Sequence, residues 1–184
     1  KRVKLLAKMR DLAEKETGEI KDAFINITSE TKEMEKRAKF LHDNGFKYAM
    51  IDVVTCGTSA VQTLRETLGD YGMAIHGHRA MHASFDRNPR HGISMQFFAK
   101  LMRMVGVENI HSGTAVGKLV GKKEEIMCIA DLLRKDYVKE KEKILLEQNW
   151  GSIKSTFPVS SGGLHPGLVP EELEIYGKDF VMLI

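Results

Sequence analysis

The chain has 184 residues, 28 of them Lys or Arg and 25 Asp or Glu, for a formal charge of +3. That length allows one domain or a large part of one, and so small and scattered a cationic excess does not argue for a nucleic-acid partner. Apolar runs of only a few residues argue against a membrane span, and no basic leader followed by an apolar stretch opens the chain, so a cytoplasmic protein is expected. Cys56 and Cys128 lie far apart and are expected as buried thiols, not a disulfide framework. The chain opens in what reads as mid-helix and ends on the apolar run Phe180 to Ile184, so both ends read as cut.

Leu5, Met9 and Leu12 recur at helical spacing over residues 1–16, with Gly18 as the stop. Ala23 to Ile27 reads as a strand. Thr28 and Ser29 offer a cap for a helix with Met34, Ala38 and Leu41 on its apolar face, closed by Asn44-Gly45. The pattern then repeats. Tyr48 to Val54 is an apolar run, and Val61, Leu64 and Leu68 mark a helix ending near Gly72. Met73 to Gly77 is the next strand, and a helix through Phe97, Leu101 and Val105 stops at Gly106. Asn109 to His111 is a short strand, followed by a helix carrying Ile126, Ile129, Ala130 and Leu133. The charged stretch Lys135 to Glu147 reads as a solvated excursion. Thr156 to Ser160, Glu171 to Tyr176 and Phe180 to Ile184 read as strand, short helix and strand.

Strands alternating with helices, and apolar on both faces, predict an α/β fold with parallel strands. An open doubly wound sheet and a (β/α)8 barrel both fit. About six strands are too few to close a barrel of eight, so a barrel would be incomplete, with strands expected before Lys1.

Polar and ionisable residues gather at three strand exits. These are Ile75-His76-Gly77-His78-Arg79-Ala80-Met81-His82, Ile110-His111-Ser112-Gly113-Thr114, and Pro158-Val159-Ser160-Ser161-Gly162-Gly163-Leu164-His165. The carboxyl ends of parallel strands form the active face of a barrel, so consecutive polar exits predict a shared site. The two-residue period of a strand sends His76 and His78 to one side and Gly77 and Arg79 to the other. A metal reading of His76-x-His78, completed by His82 or His111, lacks a Cys or carboxylate at comparable spacing. Acid–base or anion-binding work is the larger expectation. Gly113 to Gly121 places three glycines around Lys118, which suits either a closing loop or a plain turn with a solvated lysine. It is not a P-loop, because Leu119 follows Lys118. Ser161-Gly162-Gly163 presents backbone N–H groups of the kind that hold phosphate. The residues themselves thus predict an anion-binding, phosphate-type enzyme without naming its reaction.

Taken together, these runs resemble the large chain of ribulose-1,5-bisphosphate carboxylase/oxygenase (RuBisCO). The resemblance rests on His78-Arg79-Ala80-Met81-His82, Asp86-Arg87-Asn88, His91-Gly92, Ile110 to Thr114, Val116 to Leu119, Asp131 to Arg134 and Pro158 to His165. It extends over essentially the whole chain, through Glu16 to Glu19 and Asn26-Ile27-Thr28, and looks most like the archaeal form III branch.

The resemblance implies a (β/α)8 barrel with about six of its eight strands here, the N-terminal domain, first two strands and last helix lying outside. It implies enolisation and carboxylation of ribulose 1,5-bisphosphate by CO2, with an oxygenase side reaction, within archaeal-type AMP or nucleotide salvage. By the same likeness His78 handles protons and holds substrate hydroxyls. Arg79 and His111 grip one phosphate, and Lys118 meets the new carboxylate. Ser161 contacts the sugar, and Gly162 and Gly163 face the other phosphate. His76 is expected to pack or orient. Mg2+ is the implied cofactor, but its carbamylated lysine and acidic ligands are expected upstream of Lys1. A homodimer or larger homo-oligomer sharing its active sites is implied, with neither nucleic acid nor membrane as partner. Val120 departs from the Glu that many members carry. The alternatives are a RuBisCO-like enolase or isomerase of sulfur salvage, and a barrel that binds a bisphosphate without turning it over.

Overall fold

The computed structural model describes residues 1–88, 90–117, 122–142 and 144–184. It divides into two compact units, Lys1–His78 and Arg79–Ile184.

In the first unit α1 (Arg2–Thr17) leads to β1 (Ile25–Asn26), α2 (Thr31–His42), β2 (Tyr48–Asp52), the single turn α3 (Val53–Cys56), α4 (Thr58–Asp70) and β3 (Ala74–His78). The strands run parallel in the order β1-β2-β3, and the register sets Asp52 opposite His78. Met34, Ala38 and Leu41 of α2 and Val61, Leu64 and Leu68 of α4 are buried as their spacing predicts. Two expectations are corrected. The cap of α2 is Glu30, whose carboxylate accepts from the Lys32 and Glu33 amides, not Thr28 or Ser29. Thr28 is engaged elsewhere, its hydroxyl accepting from the Asp52 amide at 2.8 Å. Helix α1 forms and stops at Gly18 in the left-handed region (φ 71°), yet its stripe Leu5, Met9 and Leu12 is exposed. Ala7 is its buried residue, and Arg10 anchors it by stacking 4.7 Å over Phe46 and donating to the Asn44 carbonyl. Spacing forms a stripe; it does not say which way the helix turns it.

The second unit begins with the single turn α5 (Ala83–Asp86). It continues through α6 (Met95–Val105), β4 (Asn109–His111), α7 (Lys123–Arg134), the antiparallel pair β5 (Tyr137–Val138) and β6 (Gln148–Asn149), β7 (Phe157–Ser160), the 3-10 turn Pro166–Leu168, α8 (Val169–Tyr176) and β8 (Val181–Met182). Strand β7 lies parallel between β4 and β8. Each unit thus holds three strands that run parallel within it, the α/β class expected. The excursion from Lys135 is more than a solvated run, because it holds the β5–β6 pair with Val138 buried and leads to a buried Trp150.

The expected face of α6 is also corrected. Phe97 is exposed, and the buried face is Met95, Ala99, Met102 and Arg103. Arg103 is only 1% exposed. Its guanidinium donates to the carbonyls of Leu132 (2.8 Å), Lys135 (2.7 Å), Ile153 (3.1 Å) and Lys154 (2.9 Å) and lies 4.4 Å from the Trp150 ring. A fixed fork of donors satisfies the carbonyl end of α7 and the segment ahead of β7 at once, so a buried cation is tolerated where Lys would leave acceptors unmet. Replacing Arg103 by Met strands these carbonyls, and the intact protein should lose about 3 kcal/mol or more of unfolding free energy by denaturant titration. A loss under about 1 kcal/mol would show that the clamp is not structural.

Candidate functional site

In the first unit the polar side chains sit at the carboxyl ends of β1, β2 and β3. His76 is fully buried and stacks on Phe24 with ring centroids 4.2 Å apart, as a packed imidazole would. Two residues on, His78 reaches the strand end half-exposed, its Nδ1 2.8 Å from Asp52 Oδ1. The same oxygen accepts from Asn26 Nδ2 at 2.9 Å, and Asn26 Oδ1 accepts from the Thr28 amide. Asp52 is a site residue that the sequence reading passed over, absorbed into the apolar run Tyr48 to Val54. A single carboxylate at the end of such a run was the available signal.

In the second unit β4 and β7 run in register, His111 opposite Val159, and both end in polar groups. His111 is buried, and its Nδ1 lies 2.7 Å from Ser161 Oγ, so two of the expected residues meet directly. Gly162 and Gly163 follow with φ of 130° and 77°, conformations that L side chains rarely adopt. Gly117 lies against this turn: a Cβ there would fall 3.0 Å from Leu164 Cδ2 and 3.1 Å from the Gly163 carbonyl. Gly117 is therefore seated on the turn that follows Ser161. Lys118 lies outside the described residues.

Arg79 opens the second unit and brings its guanidinium against Gly113, where an added Cβ would meet Nη2 at 3.1 Å. Burial pulls its proton affinity below the usual guanidinium value, while the charges of Asp86, Tyr176 and Glu125 act in the opposite sense. Arginine remains a cation throughout the accessible pH range, so this desolvated charge is suited to an anion. Asp86 is itself held 2.6 Å from His82 Nδ1, one helical turn away. The chain between Arg79 and this turn passes through Met81 in the left-handed region (φ 68°), an uncommon state for a residue with a side chain.

Helix α8 supports the same loop from below. The Tyr176 hydroxyl, its titration pushed up by burial, donates to the Gly113 carbonyl at 3.0 Å, and Thr114 Oγ1 lies 2.9 Å from buried Glu172. Neither Tyr176 nor Glu172 carried a motif in the sequence. Among the described residues no three or more His, Cys, Asp or Glu side chains gather as a metal cluster. The hard carboxylate set that Mg2+ requires is thus not found among these residues. No helix among these residues is long and apolar enough to cross a membrane.

Parallel strands with helical connections, and polar groups at their carboxyl ends, define an α/β domain of the barrel type. The profile of the ribulose bisphosphate carboxylase large chain, catalytic domain, matches residues 1–184, and the chain belongs to that family. It is 51% identical over 181 residues to a ribulose bisphosphate carboxylase of Pyrococcus horikoshii, covering 98% of this chain and 39% of the relative. To that of Methanosarcina acetivorans it is 48% identical over 184 residues, covering 99% and 43%. Among solved structures, the dimeric archaeal Rubisco of Hyperthermus butylicus superposes with a TM-score of 0.92 at 47% identity, covering 100% of this chain and 42% of that one. The octameric enzyme of P. horikoshii gives 0.86 at 51% identity, covering 98% and 41%. The chain thus spans about two fifths of the length of these relatives.

Cys56, a free and partly buried cysteine, follows the exit of β2. Burial pushes its thiol up to about 11, and the Asp52 charge adds to the effect. Alkylation requires the thiolate, so at a pH near 8 iodoacetamide should modify Cys56 roughly a hundredfold more slowly than an unperturbed thiol. Mass spectrometry of the Cys56 peptide measures this, and a rate matching free cysteine would contradict the burial.

Proposed function

We propose that the complete protein carrying this chain is a ribulose-bisphosphate carboxylase. It enolises ribulose 1,5-bisphosphate, adds CO2 to the enediolate, and hydrates and cleaves the product to two molecules of 3-phosphoglycerate. The observation that carries this reading is the pairing of His111 with Ser161 at 2.7 Å across adjacent strand ends, beside the left-handed Gly162-Gly163 turn.

In this reading Arg79 and His111 bind one phosphate, the guanidinium through its planar fork and the imidazole through a ring nitrogen. The hydrogen bond to Ser161 orients His111, and the Ser161 hydroxyl contacts the sugar. Backbone amides at Gly162 and Gly163 hold the other phosphate, where a side chain would obstruct close approach. His78 exchanges protons with substrate hydroxyls. Lys118 meets the carboxylate that forms from CO2, a charge that develops only during reaction and so rewards a placed cation. Mg2+ supplies oxyanion stabilisation when bound, through ligands expected outside this chain. An oxygenase side reaction, a role in nucleotide salvage, a cytoplasmic location and a homo-oligomer with shared active sites complete the proposal. The dimeric and octameric archaeal relatives support the oligomer.

The test is fixation of labelled bicarbonate by the full-length protein with ribulose 1,5-bisphosphate and Mg2+, read as acid-stable label in 3-phosphoglycerate. Bisphosphate binding without acid-stable product would favour the binding barrel, and turnover of a sulfur-salvage sugar phosphate alone would favour the enolase or isomerase. Within an active enzyme, Lys118→Met should abolish carboxylation while bisphosphate binding persists, and undiminished carboxylation would remove Lys118 from its role. His111→Ala should raise KM for the bisphosphate about tenfold or more, the worth of one charge-assisted hydrogen bond.

A further inference from the structure

We propose that Asp52 is a positioning residue that sets the tautomer and ring orientation of His78. The inference rests on the proton-handling role given to His78 above.

Three features of the first unit carry it. Parallel register places Asp52 directly opposite His78 at the ends of β2 and β3, so the two side chains leave the sheet on the same face. Asp52 Oδ1 lies 2.8 Å from His78 Nδ1 and 2.9 Å from the Asn26 amide nitrogen. The backbone of Asp52 is pinned as well, its N–H donating to Thr28 Oγ1 at 2.8 Å. Thr28 and Asn26 are joined by their own hydrogen bond, which closes a loop of contacts over the ends of β1 and β2.

The chemistry follows from the inventory of donors. A carboxylate only accepts, so the proton in the contact with a neutral His78 resides on Nδ1. In that tautomer Nε2 is the ring's acceptor nitrogen, the atom that takes a proton from a substrate hydroxyl in the role given to His78. Asn26 and Thr28 prevent Asp52 from turning away, and so they act one step further back. His82 and Asp86 make a similar contact in the second unit, but one helical turn apart along the chain, where local spacing alone explains it. Asp52 and His78 are 26 residues apart and meet only because the strands pair.

An amide at position 52 keeps the shape but can offer N–H to Nδ1, which permits the other tautomer. The full-length enzyme is assayed as wild type, His78→Ala, Asp52→Asn, Asp52→Glu and the His78→Ala/Asp52→Asn double variant, with thermal midpoints recorded for each. Asp52→Asn should fold and lose at least tenfold in kcat, with KM for ribulose 1,5-bisphosphate within threefold of wild type. Asp52→Glu should recover part of the lost kcat. The double variant should be no more than threefold below His78→Ala, since Asp52 acts through that ring. If His78→Ala turns over as wild type, the reading of His78 fails and this inference with it. If His78→Ala is impaired while folded Asp52→Asn keeps its kcat, or if the two losses add in full, only this inference is overturned. Failure of both Asp52 variants to fold assigns the residue to the architecture and overturns it too.

Discussion

The geometry of the second unit depends on one buried cation. Arg103 leaves the inner face of α6 and donates to carbonyls at the end of α7 and in the segment ahead of β7. Those carbonyls belong to chain that has run out of helical partners, and desolvating them unpaired would be costly. With the junction held, Thr156 donates from its amide to Leu133 and from its hydroxyl to Val107, and the Phe157 amide donates to Glu108. These bonds start β7 in register beside β4. Four residues later the same register brings Ser161 to His111. A pairing at the candidate site thus traces back to a guanidinium on the opposite end of the strands.

The site is built by unequal partners. Strand ends supply the polar groups, while Gly113 and Gly117 leave room for close packing against Arg79 and against Leu164 and the Gly163 carbonyl, and Gly162 and Gly163 take positive φ. Helix α8, late in the chain, adds no group expected to touch substrate. Its Tyr176 and Glu172 instead brace Gly113 and Thr114 from beneath. In the first unit the Asp52 carboxylate likewise meets the His78 imidazole at the ends of β2 and β3.

Much of this was legible in the sequence. The helix faces of α2, α4 and α7 followed from their spacing, because each buries a stripe at the helical period. His78, Arg79, His111 and Ser161 stood out because polar residues at the ends of apolar runs are costly without a use. Other features were illegible for definite reasons. Glu30 displaced Thr28 as the cap of α2 because the Thr28 hydroxyl is taken by a strand 24 residues away. The α1 stripe and Phe97 face outward although their spacing matches that of buried residues. Arg103 reads as a surface cation until its four acceptors are seen.

By itself, then, the sequence determined the succession of elements, their parallel class, the family, and the residues at the strand exits. These depend on periodicity, turn residues and short motifs, which are properties of neighbours along the chain. Tertiary structure alone decided which carboxylate faces His78, what His111 touches, and where Arg103 and Tyr176 spend their donors. Those contacts join residues 26 to 63 positions apart. Strand register and helix rotation set them, and no local pattern encodes either.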